Sequence, residues 1–464
     1  MTTHTIPPRE SPALLLPDGE VSWGELGARA ELAARRLSAL GVGRGDRVAT
    51  LLDPSAEAAE VLFGLARLGA VSVPISPRSP SPEIHSLIER AGAGTVVRTG
   101  ELERVEPVAA APPPRTPSED DPHSIVFTSG STGEPKPVVL THGNHAASAR
   151  AAQQVLRLTP GDRWLACMPL NYVGGMAVFL RAVETGFAVV PVPHFDPALV
   201  AATIDDTGTT AASLVPTMLH RLLEAGWRGA PSLRFVLLGG APCPKALMNE
   251  ARTRGIPIAH TYGRTETASH VATLPPWEAP QHIGTVGKPV PGATVRIGES
   301  PEGPAPRGAP GRIWVSGPTV SPSARSASSL ADWLRTDDLG CLDEAGYLTV
   351  LGRIDDVIVT GGEKVAPREV EGTLAAHPSV GEAVVVGVPD SEWGQRAVAV
   401  VTPTSPRAPG IRPDPASLRA WLKRSLAPHK VPRQIVVLDD LPRTEPGKPD
   451  RNALREMLEG DPDG

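Results

Sequence analysis

Apolar positions along the first part of the chain switch between helical and strand-like periods. Ser22 and Glu25 form a capping-box pattern before an amphipathic stretch that stops at Gly41, which predicts a helix. A short apolar run follows, and the same succession of helix and strand is then repeated. The predicted helices and strands are residues 26–40, 48–52, 56–68 and 70–75. This alternation predicts an α/β domain with parallel strands.

The alternation continues through the middle of the chain and changes its character near the end. Residues 124–127, 235–238 and 257–259 predict strands, and residues 197–205, 217–224 and 244–254 predict helices. After about residue 352 the pattern becomes that of a small α+β unit. Its predicted strands and helix are residues 382–388, 397–401 and 418–425. We therefore predict a large domain over residues 1–352 and a small domain over residues 353–464.

The composition of the chain limits the kinds of partner that the protein is expected to bind. The chain has 464 residues and a net charge of −6, with no basic stripe, so neither nucleic acid nor an anionic membrane is an expected partner. Cys167, Cys243 and Cys341 lack the spacing of a zinc site or a disulfide framework. No signal peptide and no apolar run of membrane-spanning length is recognisable. We expect a cytoplasmic protein that acts on a small molecule.

One segment combines the groups that bind phosphate. Residues 127–137, FTSGSTGEPKP, are a predicted turn that contains hydroxyls, glycines that allow backbone N–H groups to approach an anion, and one lysine. No Ser or Thr follows Lys136, so the segment is not an ordinary P-loop. A flexible surface loop rich in Ser, Gly and Pro is the alternative. The residues that we expect to contact phosphate are Thr128, Ser129, Gly130, Ser131, Thr132, Gly133 and Lys136.

This segment resembles the phosphate-binding signature of the adenylate-forming superfamily, which contains acyl- and aryl-CoA ligases, luciferases and nonribosomal adenylation domains. Residues 261–266, TYGRTE, resemble a second motif of that family, with Arg264 where Met or Leu is common. By this resemblance Tyr262 stacks on adenine, Thr265 contacts the α-phosphate and Glu266 holds Mg²⁺. Gly263 lies within the same motif.

Three further motifs follow in the family's order. Residues 336–340, TDDLG, resemble a ribose-binding motif in which Asp338 accepts hydrogen bonds from ribose hydroxyls, although Asp337 replaces the usual glycine. Residues 352–371 match a long pattern in which Arg353 binds ribose, Asp355 is the hinge of the small domain, and Gly361 and Gly362 line a pantetheine tunnel. A solvated turn is the alternative for the hinge segment. Residues 441–451, LPRTEPGKPDR, match the closing motif and make Lys448 the candidate catalytic lysine.

The resemblance implies a fold and a reaction. The expected fold is α/β, with a large N-terminal domain that includes a small β-subdomain, and a mobile α+β C-terminal domain. The expected enzyme is an AMP-forming ligase that uses ATP and Mg²⁺ to convert a carboxylic acid into an acyl adenylate, then transfers the acyl group to CoA. A homodimer is compatible with the sequence.

Within the family, residues 236–273 look most like o-succinylbenzoate-CoA ligases of menaquinone synthesis. The implied acid pocket contains Gly239 and the gate segment with Tyr172, Gly174 and Gly175, and the pockets for acid and adenine share Gly240 and Ala241. Tyr172 stands where family members often carry histidine. This replacement keeps a second interpretation open, in which a secondary-metabolism enzyme activates an aryl acid, or nitrite for arylamine diazotisation, with a non-CoA acceptor. A third interpretation is a non-catalytic nucleotide-binding homologue, which the retained charged residues disfavour.

Overall fold

The fold was analysed in a computed structural model of the chain. It describes residues 8–109, 117–128, 135–241, 243–325, 332–354, 356–360, 363–390, 393–404, 412–444 and 449–459.

Helices and strands alternate over the first 289 residues, as the apolar pattern predicts. The elements of this part are β1 (Pro12–Leu16), β2 (Gly19–Ser22), α1 (Trp23–Ala39), β3 (Arg47–Leu51), α2 (Ala56–Leu68), β4 (Val71–Pro74), α3 (Ser81–Ala91), β5 (Thr95–Arg98), β6 (Pro122–Thr128), β7 (Lys136–Thr141), α4 (His142–Leu156), β8 (Arg163–Ala166), α5 (Val173–Thr185), β9 (Ala188–Pro191), α6 (Pro197–Thr207), β10 (Ala211–Leu214), α7 (Pro216–Glu224), β11 (Phe235–Leu238), α8 (Lys245–Thr253), β12 (Ile258–Tyr262), β13 (Ala272–Leu274) and β14 (Lys288–Pro289).

The rest of the chain is richer in strands. Its elements are β15 (Thr294–Ile297), β16 (Gly311–Ser316), β17 (Trp333–Leu342), β18 (Leu348–Arg353), β19 (Ile358–Thr360), β20 (Glu363–Val365), α9 (Pro367–Ala375), β21 (Val380–Asp390), β22 (Gly394–Pro403), α10 (Pro415–Lys423), β23 (Gln434–Val437) and α11 (Arg451–Glu459).

The strands form four sheets in the described part of the chain. A nine-stranded sheet has the order β14-β13-β12-β11-β10-β8-β9-β1-β2 and is parallel from β12 to β1, and a five-stranded sheet has the order β5-β3-β4-β6-β7 and is parallel except for the β6–β7 pair. β15 to β18 form an antiparallel meander. β19 to β23 form a separate sheet after Arg353. The expected α/β class is confirmed.

Local sequence explains where the first helices begin and end. The capping box of Ser22 and Glu25 is present at the start of α1. Ser55 caps α2, which ends at Gly69 in the left-handed conformation. Because such signals are local, the positions of these helices could be predicted from the sequence.

The core lies on both faces of the nine-stranded sheet. Successive residues of β8 and β11 point to opposite sides, so Trp164 and Phe235 pack in the cluster that contains α1, α2 and α5. Leu165 and Val236 pack in the cluster that contains α6, α7 and α8. Both faces are thus buried, which is why these strands read as continuous apolar runs.

Two predicted boundaries differ from the structure. The strand expected to end at Ala259 continues through Tyr262, because β13 returns antiparallel beside it. Lys136 and Pro137, which we assigned to a turn, belong to β7, where Lys136 pairs with Thr128 of β6. The segment predicted to bind phosphate therefore includes the paired ends of β6 and β7.

Candidate functional site

Several of the predicted site residues follow the carboxyl ends of parallel strands. β8, β9, β10, β11 and β12 of the nine-stranded sheet run in the same direction. Open α/β sheets bind ligands at this edge, where the loops after neighbouring strands meet. The segments that follow these strands contain Tyr172, Gly239, Gly240, Ala241, Gly263, Thr265 and Glu266.

A compact cluster of charges joins two of the predicted motifs. The Tyr262 hydroxyl donates to Oδ2 of Asp338 at 2.6 Å, and Nη1 of Arg264 donates to the same oxygen at 2.8 Å. Nη2 of Arg264 donates to Oε1 of Glu266 at 3.0 Å, and its Nε donates to Oε2 at 3.3 Å. The guanidinium thus bridges Asp338 and Glu266, which lie 72 positions apart in the sequence.

Burial strengthens the interactions within this cluster. The side chains of Arg264, Glu266 and Asp338 are 19%, 17% and 9% exposed. Burial alone lowers the pKa of the Arg264 guanidinium, but the negative charges of Glu266 and Asp338 raise it above its ordinary value. Burial and the Asp338 charge both raise the pKa of Tyr262 well above its usual value. Tyr262 therefore stays neutral and Arg264 charged at physiological pH.

The extra carboxylate at position 337 has partners of its own. Asp337 pairs with Arg312 at 3.3 Å and with Arg353 at 3.7 Å. The register of β17 and β18 places Asp338 opposite Arg353, which brings both predicted ribose-binding residues to one sheet position. Asp337 therefore adds a charge that Arg312 and Arg353 offset.

The segment after β12 is fixed by unusually close backbone packing. A Cβ atom at Gly263 would overlap the carbonyl oxygen of Ser269. Thr265 to Thr267 form a 3₁₀ turn, and Ala268 and Ser269 adopt positive φ angles of 47° and 72°. Only glycine at position 263 allows the chain to fold back over Tyr262 in this way.

A serine links the Glu266 segment to the phosphate-binding hairpin. The N–H of Ser321 donates to the Glu266 carbonyl at 2.8 Å, and its hydroxyl donates to the Val139 carbonyl in β7 at 2.6 Å. The Thr128 hydroxyl closes the hairpin by donating to the Lys136 carbonyl at 3.4 Å, and Lys136 itself is exposed. The hairpin ends and the Glu266 turn are therefore neighbours.

A cavity of about 1030 Å³ lies at the same edge of the molecule. Tyr172 and Asn171 line it after β8, Phe195 lines it after β9, and Arg221 lines it from α7. Arg443 and other residues of the C-terminal sheet complete the wall. The cavity is thus bounded by both parts of the chain.

The lining of the cavity is polar and carries charges of both signs, with Arg78, Arg221 and Arg443 beside Glu224, Glu382, Asp439 and Asp440. Arg78 is paired with Asp53 at 2.9 Å and Arg443 with Glu382 at 2.9 Å. Arg221 lies over the Phe195 ring at 5.9 Å, and within the described ranges it makes no ion pair. Cys167 also lines the cavity, but burial raises the pKa of its thiol to about 12, so it is protonated and a poor nucleophile.

Three glycines that we predicted in the acid pocket do not line the cavity, and close packing against their neighbours explains why they are glycines. A Cβ at Gly175 would overlap the carbonyl oxygen of Pro169, and a Cβ at Gly174 would press on the Met168 side chain at 3.1 Å. A Cβ at Gly239 would likewise overlap the side chain of Thr261. These glycines allow α5 and β11 to approach their neighbours, while Tyr172 is the predicted residue that lines the cavity.

Several residues of the candidate site gave no usable sequence signal. The sequence marked Arg264 as a departure but did not reveal its two carboxylate partners, because one of them is contributed by β17. Arg221, His194 and Arg78 were missed because each is a single residue without a motif. Only the fold brings them to one cavity.

A number of predicted residues lie outside the described residues. They are Ser129, Gly130, Ser131, Thr132, Gly133, Asp355, Gly361, Gly362 and Lys448. Where the chain is described, no group of three or more His, Cys, Asp or Glu side chains could hold a metal ion by itself. The described helices also include none long and apolar enough to cross a bilayer.

Comparison with known proteins gives one consistent result. The AMP-binding enzyme family matches residues 5–323, and the AMP-binding enzyme C-terminal domain matches residues 369–448. The chain is 34% identical to a 2-succinylbenzoate–CoA ligase of Bacillus mycoides over 96% of each chain. It is 37% identical to one of Geobacillus kaustophilus over 94% of this chain and 93% of that one.

Solved structures agree with the sequence comparison. The o-succinylbenzoate CoA synthetase of Bacillus subtilis in complex with the acyl-adenylate intermediate OSB-AMP superposes with a TM-score of 0.86 at 34% identity, covering 96% of this chain and 95% of that one. ATP-bound MatB from Rhodopseudomonas palustris superposes with a TM-score of 0.85 at 28% identity, covering 97% and 96%. The family predicted from the motifs is confirmed: this chain belongs to the AMP-binding enzymes and has the fold of their AMP-forming CoA ligases.

Proposed function

We propose that this enzyme activates o-succinylbenzoate with ATP, releasing pyrophosphate, and then transfers the acyl group from AMP to CoA. The observation that carries the proposal is the shared position of two ligand sites. Tyr262 and Glu266 of the cluster and Tyr172 of the cavity all lie at or after the carboxyl ends of parallel strands of the nine-stranded sheet, and Asp338 joins the cluster from β17. Such an arrangement suits a nucleotide and an acid that must react with each other.

The nucleotide contacts follow from the chemistry of each group. Tyr262 offers a neutral ring for stacking on adenine, and Asp338 and Arg353 lie together for the ribose hydroxyls. Thr265 would donate to the α-phosphate. Residues 129–134 together with Lys136 would hold the β- and γ-phosphates through N–H groups, hydroxyls and a positive charge.

The donor set fits a magnesium ion. Mg²⁺ is usually held by one or two carboxylates together with phosphate oxygens and water. Glu266 supplies one carboxylate beside the expected phosphate position, which is enough when ATP supplies further oxygens. Bound there, Mg²⁺ would neutralise charge on the phosphates of ATP.

The cavity suits an acid that carries a second negative charge. Arg221 lies in its wall and forms no ion pair within the described ranges. A second carboxylate on the acid would satisfy Arg221, and o-succinylbenzoate has one.

Two half-reactions then share the site. An oxygen of the acid attacks the α-phosphorus of ATP, the bond to pyrophosphate breaks, and Lys448 offsets the charge that develops in this in-line displacement. Residues 353–464 would then rotate about Asp355, and the pantetheine thiol would enter past Gly361 and Gly362. The thiol loses its proton, attacks the acyl carbonyl and displaces AMP.

Tyr172 favours one second candidate. It lines the cavity where relatives often have histidine, and a phenol supplies one neutral hydrogen-bond donor in place of an imidazole. An enzyme that activates an aryl acid or nitrite, with an acceptor other than CoA, is the corresponding candidate. A homodimer and a cytoplasmic location remain predictions.

The test is pyrophosphate release with Mg·ATP over a panel of acids, with the products weighed with and without CoA. We expect the CoA thioester of o-succinylbenzoate. An adenylate of only another aryl acid, or of nitrite, without a thioester would establish the second candidate.

Lys448→Ala tests the catalytic assignment. Loss of the positive charge in the displacement should slow pyrophosphate release by at least about a hundredfold, since such electrostatic contacts contribute on this scale. ATP binding, measured by calorimetry, should remain. Unchanged pyrophosphate release in this variant would refute the role of Lys448.

A further inference from the structure

Arg264 stands between the two carboxylates on which nucleotide binding would depend. It donates to Asp338 through Nη1 and to Glu266 through Nη2 and Nε, and no other described residue is hydrogen-bonded to both carboxylates. The guanidinium group is planar and has several N–H donors, so it can hydrogen-bond two carboxylates at once. Tyr262 adds a neutral donor to Asp338.

The charge of the cluster depends on this one residue. Glu266 and Asp338 together carry two negative charges, and both are largely buried. ATP is itself a polyanion, so two uncompensated carboxylates would repel it in a region of low dielectric constant. With Arg264 present, the cluster keeps one net negative charge.

We propose that Arg264 is a positioning residue that acts as the permanent counter-ion of the nucleotide site. It holds Glu266 and Asp338 in place before ATP arrives and makes ATP binding less dependent on a divalent cation. The inference rests on the proposed function of this site in binding ATP. It further implies that Arg264 competes with the metal ion for Glu266.

Competition between Arg264 and the metal ion for Glu266 predicts how replacing Arg264 changes the affinity for ATP. Without Arg264, metal-free ATP meets two carboxylates that have lost their shared guanidinium, and it binds more weakly. Mg·ATP meets a Glu266 that is free to bind the metal and loses less affinity, or gains some. The ratio of the dissociation constants without and with Mg²⁺ must therefore rise, because metal and nucleotide binding are thermodynamically coupled.

Isothermal titration of ATP in the absence of an acid substrate tests this inference. The full-length wild type and Arg264→Met are titrated in EDTA and again in excess MgCl₂. We expect the ratio of the two dissociation constants to be at least about tenfold larger in the variant, which is about 1.4 kcal/mol of coupling. A ratio within about twofold of the wild type would overturn the proposal.

Two further variants make the result specific. Arg312→Met removes a guanidinium of similar burial that pairs with Asp337, so its ratio should match the wild type. Arg264→Lys keeps one charge but cannot span both carboxylates, so its ratio should lie between the other two, and it carries the test if Arg264→Met does not fold. Failure of the wild type to bind ATP in either buffer would instead refute the proposed function.

Discussion

Gly263 is the residue whose replacement has the most direct structural cost. Any Cβ atom there meets the backbone oxygen of Ser269, which cannot rotate away as a side chain would. We expect Gly263→Ala to lower the free energy of unfolding by at least about 2 kcal/mol, within the range for overpacked sites. Urea unfolding of the full-length protein measures this loss.

Gly27→Ala is the matched control for that substitution. Gly27 lies in the interior of α1, and a Cβ atom there meets nothing within 4 Å. Alanine is the better helix former, so stability should rise by about 0.5–1 kcal/mol. A similar loss in both variants would mean that the overlap with Ser269 is not the cause.

At the scale of elements, β6 and α4 pack together through a buried pair of histidines, His123 and His145. Their rings pack edge to face at 4.8 Å, and Nε2 of His145 hydrogen-bonds Ser124 at 2.9 Å. Burial lowers the pKa of His145 to about 3, with the charges of His142 and Arg181 acting in the same direction. The folded protein therefore keeps this imidazole neutral through the mildly acidic range.

The lowered pKa of His145 determines the direction in which the free energy of unfolding changes with pH. Between about pH 6.5 and about pH 3 the unfolded chain binds a proton at His145 that the folded chain does not, so stability falls as the pH falls through this window. We expect His145→Asn to reduce the slope of unfolding free energy against pH by about 1.4 kcal/mol per pH unit near pH 5. Urea titrations at several pH values measure the slope.

A surface histidine provides the comparison for this slope. His85 is exposed on α3, so His85→Asn is the control for replacing a histidine by asparagine away from the buried pair. An equal slope in wild type and His145→Asn would contradict the assignment of acid sensitivity to this pair.

The elements also show what sequence could and could not predict. α2 and β11 occupy the predicted residues because caps and apolar runs are local signals. β12 extends three residues further than expected because its last pairs depend on β13. The charges around Asp338 were hidden for the same reason, since Arg264 and Arg353 reach it only through strand pairing and the fold.

At the scale of the whole molecule, the cavity depends on segments that are far apart in sequence. Arg221 is the residue in its wall that we expect to select for a second carboxylate. Arg221→Gln should raise KM for o-succinylbenzoate by about tenfold or more, since a charged hydrogen bond is worth about 1.5–3 kcal/mol. KM for ATP should change little.

Steady-state pyrophosphate release measures both constants. Benzoate, which lacks the second carboxylate, serves as the comparison acid, and its KM should be nearly the same in wild type and variant. A parallel rise for both acids would show that Arg221 shapes the cavity without recognising the second charge.

The common edge of the parallel strands has an evolutionary consequence. The nucleotide groups follow β12 and lie on β17 and β18, whereas the acid cavity is lined after β4, β8 and β9 and from α7. Loops on one set of strands can therefore vary while the other set is preserved. A lineage could exchange its organic acid through a few changes near Tyr172 and Arg221 and retain the same energy-coupling machinery, so a change of metabolic role would require no change of architecture.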